Sequence, residues 1–157
     1  MFNSLTSMIG TVAELNVLDC FAGSGVLSFE ALSRGACHAT MVDRDGQAIR
    51  AIDRNIHVFG CEDRTTIRGG DVFSLVTEKL EDSPFDLIFV DPPYVVKAAK
   101  VEELLARFNK KKVLTIGAVV VYECDPETSL ELPEGFALIK EKEYGSTMVS
   151  YLQFRGA

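Results

Sequence analysis

The chain has 157 residues, of which 47% are hydrophobic and 25% charged, with a formal net charge of −7. This balance excludes a disordered or fibrous chain and predicts a single domain over residues 1–157. No apolar run is long enough for a membrane span, and the N-terminus does not read as a signal peptide, so we expect a cytoplasmic protein. The four cysteines form no CxxC pair, so we expect no zinc or other metal site.

Short apolar runs alternate with helical patterns along the whole chain. The predicted strands are 16–20, 39–42, 65–68, 85–90 and 118–123, followed by an antiparallel hairpin of 136–142 and 148–154. The predicted helices are 26–34, a segment capped by Asp45 that stops near Gly60, 72–80 and 101–108. Strands that alternate with helices indicate an α/β fold with a mostly parallel sheet.

Four aspartates lie at or just after the carboxyl ends of the first four predicted strands, namely Asp19, Asp43, Asp71 and Asp91. Ligands of open parallel sheets bind beyond the carboxyl ends of the strands. The sequence therefore predicts a binding site at this edge of the sheet.

The first of these segments, DCFAGSG, places Gly23 and Gly25 between a strand and a helix. Glycines there let a ligand approach the backbone, although the same pattern is also found in a purely structural tight turn. The third glycine of a dinucleotide fingerprint is replaced by Ser28, which disfavours a pyrophosphate. Asp19 is suited to an amino-bearing ligand, and Asp43 to the two hydroxyls of a ribose. These features favour S-adenosyl-L-methionine as the cofactor.

Asp71 closes the third strand and has two open interpretations: the N-cap of the following helix, or a contact to the adenine end of the donor. The candidate cofactor-binding residues are Asp19, Phe21, Gly23, Gly25, Asp43, Arg44, Asp71 and Val72.

The segment DPPY ends the fourth strand with Asp91, Pro92, Pro93 and Tyr94, which are the candidate catalytic residues. The exocyclic amine of a nucleobase is a poor nucleophile because its lone pair is delocalised into the ring. The Asp91 carboxylate and the Pro92 carbonyl can accept the two amine protons, since the prolines restrict the backbone. Tyr94 offers a ring on which a base can stack. The alternative interpretation is a turn that merely ends the strand.

The remaining polar residues are weaker candidates. Glu123 and Asp125 follow the fifth strand, and we interpret them as solvated caps. His38 and His57 lie far from any nucleophile or metal-ligand spacing, which favours structural or exposed roles.

Six segments together resemble the RsmD-type methyltransferases, which modify guanine N2 in 16S ribosomal RNA. They are VLDCFAGSG, EALSRGA, VDRD, GGD, FDLIFVDPPY and EYGSTMVSYLQF. The resemblance implies a Rossmann-like class I S-adenosylmethionine-dependent methyltransferase fold with seven strands. It also implies donor contacts at Asp19, Gly23, Asp43 and Asp71, and base contacts at Asp91, Pro92 and Tyr94.

The resemblance further implies 16S rRNA as the partner, within a small ribosomal subunit or its assembly intermediate. Members of this family usually begin with a basic stretch that helps to hold RNA, and this sequence opens without one. Because an acidic chain repels phosphate, we expect it to bind the donor better than RNA. Alternatives are a DNA or protein N-methyltransferase, or a truncated donor-binding chain without activity.

Overall fold

The structure is a computed structural model that describes residues 1–78 and 80–156, and its centre is a seven-stranded sheet. The strands are β1 Asn16–Asp19, β2 His38–Asp43, β3 Thr65–Gly69, β4 Phe85–Val90, β5 Leu114–Cys124, β6 Phe136–Tyr144 and β7 Thr147–Phe154. The helices are α1 Phe2–Ile9, α2 Val26–Ser33, α3 Gly46–Phe59, α4 Val72–Leu75 and α5 Ala98–Lys110.

The strand order is β3-β2-β1-β4-β5-β7-β6. Strands β1 to β5 run parallel, whereas β7 pairs antiparallel with both β5 and β6. This arrangement confirms the predicted α/β fold with its terminal antiparallel hairpin. The order reverses direction between β1 and β4, which is where ligands bind in such sheets.

Two apolar layers cover the faces of the sheet. One layer holds residues of α1, α2 and α3, including Leu5, Leu32 and Ile52, and the other holds residues of α4 and α5. The middle of β4 is inaccessible to solvent on both faces, because successive side chains enter opposite layers. No helix in the described ranges is long and apolar enough to cross a membrane.

Three element boundaries differ from the sequence-based expectations by three residues or more. The helix expected at 72–80 ends at Leu75, because Thr77 and Glu78 form hydrogen bonds to residues three positions earlier; position 79 lies outside the described residues. Strand β5 begins at Leu114 rather than at residue 118. Its first residues were not predicted because Gly117, at φ +90°, interrupts the apolar pattern of the sequence. Helix α5 begins at Ala98, one turn earlier than expected.

Helix α1 was not predicted from the sequence. Its Phe2 ring lies 5.8 Å from the Phe89 ring between centroids, so α1 packs against the central strand β4. The helix thereby closes the apolar layer on its side of the sheet.

Candidate active site

Two cavities lie side by side at the carboxyl edge of the parallel strands. The glycine-loop cavity has a volume of about 610 Å³, and its wall consists of Cys20, Phe21, Gly23, Asp43, Arg44, Gly70, Asp71, Val72, Phe73, Asp91, Pro92, Pro93, Val95 and Val96. The tyrosine cavity has a volume of about 410 Å³, and its wall consists of Asp91, Pro92, Pro93, Tyr94, Val96, Lys97, Ala98, Tyr122, Glu123, Cys124, Asp125, Thr128 and Thr147. The segment from Asp91 to Pro93 therefore belongs to both walls.

Most of the residues predicted to bind the cofactor meet in the glycine-loop cavity, namely Phe21, Gly23, Asp43, Arg44, Asp71 and Val72. The volume lies within the range of about 300–1,000 Å³ that is usual for small-molecule sites. Asp19 and Gly25 were predicted to contact the cofactor too, but they do not line this cavity.

Asp43 ends β2 and organises the backbone around the cavity. Its Oδ2 accepts a hydrogen bond from the Gly23 N–H at 2.8 Å, and its Oδ1 accepts one from the Asp45 N–H at 2.9 Å. A carboxylate has about four acceptor positions, so lone pairs remain for a ligand. Asp43 can therefore shape the first loop and bind hydroxyl groups at the same time.

Asp71 is the N-cap of the short helix α4. Its Oδ1 accepts a hydrogen bond from the Phe73 N–H at 3.0 Å, which satisfies one of the free N–H groups at the helix start. The capping interpretation is thus confirmed, and the same side chain also lines the glycine-loop cavity.

Asp19 lies beneath the first loop, with 1% of its surface exposed. Its Oδ2 accepts a hydrogen bond from the Ser28 hydroxyl at 2.8 Å, whereas Oδ1 is buried without a partner among the described residues. Burial raises the pKa of Asp19 to about 7, and the carboxylates of Asp91 and Asp43 act in the same direction. Ser28 is thus the polar partner of Asp19, a role that its place in the glycine pattern did not reveal.

The two glycines of the first loop have different structural roles. Gly25 has φ +87°, and a Cβ built on it would come within 2.6 Å of Phe29 Cε2. Gly23 has φ +58° with no atom within 4 Å of such a Cβ. Gly25 is therefore required by packing under the loop, whereas Gly23 presents open backbone to the cavity.

The DPPY segment forms a turn in which, among the described residues, the Pro93 carbonyl accepts a hydrogen bond and the Pro92 carbonyl does not. The Pro93 carbonyl accepts a hydrogen bond from the Val96 N–H at 2.9 Å. Within residues 1–78 and 80–156, no donor reaches the Pro92 carbonyl, which leaves it available to a ligand. Tyr94 is 89% exposed, so its ring forms an open rim of the tyrosine cavity.

Glu123 does not act as a solvated cap, contrary to our expectation. It lies at the end of β5 beside Asp91, and both carboxyl groups line the tyrosine cavity. Partial burial raises the pKa of Asp91 even though this side chain is exposed at the cavity mouth. Burial also raises the pKa of Glu123, and the nearby charge of Asp91 raises it further. The two carboxyl groups therefore form a pair in which double ionisation is disfavoured.

The other weak candidates have the structural roles that we expected. Asp125 accepts a hydrogen bond from the Glu127 N–H at 2.9 Å within a turn. His38 contacts the Thr66 hydroxyl at 2.8 Å across β2 and β3, and His57 is an exposed residue of α3. Tyr144 at the end of β6 pairs with Thr147 at the start of β7, so Gly145 and Ser146 form the turn of the terminal hairpin.

The strand order, together with a ligand-sized cavity at the carboxyl edge of the parallel strands, is that of a Rossmann-like methyltransferase, a class of enzyme whose fold implies S-adenosylmethionine as donor. The chain belongs to the family described as Conserved hypothetical protein 95, whose model matches residues 1–153.

Individual relatives agree with this membership. The Bacillus subtilis protein YlbH is 36% identical over 141 residues, covering 88% of this chain and 76% of its own length. Ribosomal RNA small subunit methyltransferase D of Escherichia coli strain K12 is 30% identical over 146 residues, covering 92% and 70%. The solved structure of yhhF from Escherichia coli superposes with a TM-score of 0.88 at 25% identity, covering 99% of this chain and 86% of that one. The chain spans 63% to 76% of the length of the first four curated relatives.

Proposed function

We propose that this chain transfers a methyl group from S-adenosyl-L-methionine to the exocyclic N2 of a guanine in 16S ribosomal RNA. The observation that carries the proposal is the wall shared by the two cavities, which contains Asp91 and Pro92. A donor in the glycine-loop cavity and a base in the tyrosine cavity would meet at this wall, as direct transfer between two bound molecules requires.

The glycine-loop cavity fits the donor in size and in chemistry. Asp43 retains free lone pairs for ribose hydroxyls, and the exposed Gly23 backbone permits close approach. Asp71 and Val72 line the same cavity and would contact the adenine end of the donor. When bound, the donor supplies an electrophilic methyl group on a sulfonium. Asp19 supports this site indirectly, because it binds the hydroxyl of Ser28, the third residue of α2.

The tyrosine cavity fits a nucleobase that presents an amine. The Asp91 carboxylate and the free Pro92 carbonyl would accept the two N–H groups of that amine. Acceptors at a tetrahedral angle favour a lone pair localised on nitrogen, directed towards the neighbouring cavity. The Tyr94 ring would stack on the base, a contact worth about 1–3 kcal/mol in other nucleic-acid complexes.

The RNA target is proposed from the relatives, since the Escherichia coli relative carries the name of a small-subunit ribosomal RNA methyltransferase. Cationic side chains stand at both cavities, with Arg44 at the glycine-loop cavity and Lys97 at the tyrosine cavity. They offer local phosphate contacts on a chain whose net charge is −7. We propose a ribosomal particle as the substrate and residues 1–157 as one catalytic domain.

The test is transfer of labelled methyl groups to small ribosomal subunits from cells that lack this activity. The expected product is a single N2-methylguanine, located by mass spectrometry of the digested RNA. The matched control is Asp91→Asn, which keeps the shape of the side chain and should lose transfer. Labelling of protein or of DNA, but not of RNA, would overturn the proposal.

A further inference from the structure

We propose that Glu123 accepts the N1–H of the target guanine beside Asp91, and that it thereby selects guanine over adenine and cytosine; this role rests on the proposed function. Glu123 is absent from the DPPY segment, and it is brought to the site only by the sheet order.

The register of the sheet places the two carboxyl groups next to each other. Val90 and Tyr122 are paired in the parallel ladder of β4 and β5, so Asp91 and Glu123 follow at the same level. Neighbouring strands lie about 4.8 Å apart, which brings side chains at equal level into contact range.

The two side chains also meet in the same cavity. Phe89 and Val121 both belong to the apolar layer formed with α1, α2 and α3. Glu123 lies two positions after Val121 in β5 and projects towards that layer, whereas Asp91 directly follows the end of β4. Both line the tyrosine cavity, where the two carboxyl groups are within hydrogen-bond reach of each other.

Neither carboxyl group receives a hydrogen bond from an N–H group or a hydroxyl elsewhere in residues 1–78 and 80–156. Asp125, which lines the same cavity, differs because the Glu127 N–H already occupies its Oδ1. Burial raises the pKa of both carboxyl groups, and the charge of Asp91 raises the pKa of Glu123 further. Both groups keep acceptor positions that two incoming N–H donors would fill.

Guanine has the matching donor pattern. Its Watson–Crick edge presents N1–H directly beside the N2 amine, so two adjacent acceptors can each receive one donor. Adenine and cytosine present a ring nitrogen acceptor beside their amine, and this lone pair would oppose the Glu123 carboxylate. Selectivity then arises from repulsion of the wrong base as well as attraction of the right one.

The test uses four UXU trinucleotides bound in the presence of S-adenosylhomocysteine, with X as guanine, inosine, 2-aminopurine or adenine. Inosine keeps N1–H and lacks the amine, whereas 2-aminopurine keeps the amine and lacks N1–H. We expect the wild type to bind the guanine probe about 5- to 100-fold more tightly than the inosine probe or the 2-aminopurine probe, which is the range usual for a paired base contact.

In Glu123→Gln, the guanine to 2-aminopurine ratio should fall to about one or invert, because the amide can donate to the bare ring nitrogen. Its guanine to inosine ratio should stay as in the wild type. In the matched variant Asp91→Asn, the guanine to inosine ratio should fall, and the guanine to 2-aminopurine ratio should stay as in the wild type. A merely structural role of Glu123 would weaken all probes together, and thermal unfolding of each variant checks the fold.

An unchanged guanine to 2-aminopurine ratio in Glu123→Gln, or a wild type that binds all probes equally or not at all, overturns the role of Glu123. Methyl transfer to ribosomal subunits is measured in parallel. Discrimination between the probes without transfer overturns the proposed function and supports the role of Glu123. Transfer with an unchanged ratio in the variant overturns only the role of Glu123.

Discussion

Asp43 accepts the Gly23 N–H at 2.8 Å and thereby joins the end of β2 to the loop that follows β1. The carboxylate belongs to the wall of the glycine-loop cavity, and so does the glycine whose N–H it binds. One side chain therefore couples the shape of the loop to the chemistry of the proposed donor site.

Asp43→Ala should weaken binding of S-adenosylmethionine by about 5- to 100-fold, since a contact to the ribose and the loop anchor are both lost, at about 1–3 kcal/mol. Titration calorimetry measures this affinity. The matched control is Asp45→Ala, which removes the cap of α3. That control should cost about 1 kcal/mol of stability with donor affinity retained. Equal donor affinity in the two variants would remove Asp43 from the site.

Asp91→Asn should lower the rate of methyl transfer by about 100-fold or more, in the range for a positioned group that acts on a reacting atom. The asparagine amide directs N–H donors at an amine that needs acceptors. Single-turnover transfer gives the rate, and calorimetry should show donor affinity within about threefold of the wild type. Asp125→Asn provides the control in the same cavity, and a comparable loss there would argue against a specific role of Asp91.

Tyr94→Ala should lower kcat/KM for the RNA substrate by about 5- to 100-fold, the loss expected when one base loses its stacking partner. Tyr94→Phe should remain within about threefold, because stacking requires the ring and not the hydroxyl. The Tyr94 side chain is 89% exposed, so neither variant should change the unfolding midpoint. A large defect in the phenylalanine variant would contradict stacking as its role.

Asp19 should make the stability of the fold fall as the pH rises. Its pKa is raised from 3.8 to about 7, so the folded state keeps a proton that the unfolded state releases. The stabilisation is therefore complete below about pH 4 and is lost as the pH rises to about 7. Asp19→Asn removes this ionisation and should be more stable than the wild type at pH 8, on the order of 3 kcal/mol, with little difference at pH 4.

Urea unfolding at pH 4 and pH 8 measures the effect of Asp19→Asn. Ser28→Ala is the companion variant, because the Ser28 hydroxyl stabilises the ionised carboxylate and lowers its pKa. Its removal should steepen the loss of stability with pH. If the free energy of unfolding changes equally with pH in the wild type and in Asp19→Asn, Asp19 does not titrate between pH 4 and pH 8.

Gly25→Ala should destabilise the fold more than Gly23→Ala. Both glycines have positive φ, so each substitution carries the strain of about 1 kcal/mol that a Cβ brings to that conformation. Only at Gly25 does the added Cβ meet Phe29, at 2.6 Å, which adds about 1–3 kcal/mol for overpacking. Denaturant midpoints test the difference, and equal losses would contradict the packing argument.

The α/β class, the alternation of strands and helices, and the loops that carry the candidate site could all be predicted from the order of the amino acids. Asp43 and Asp91 could be found because each directly follows an apolar run, and Asp71 because it follows two glycines after a predicted strand; parallel strands bring such positions to one edge. The DPPY segment could be interpreted locally, since its chemistry lies in adjacent residues.

Contacts between residues that are distant in the chain became visible only in the folded structure. Ser28 binds Asp19 nine positions away, and Glu123 stands beside Asp91 across two neighbouring strands. Periodicity reports only which face of its own element a residue occupies, so neither pair could be predicted from it. Helix α1 escaped prediction for a related reason: its stability derives from burial against β4. Burial and partner choice depend on the order of strands in the sheet, which becomes defined only when the chain is folded.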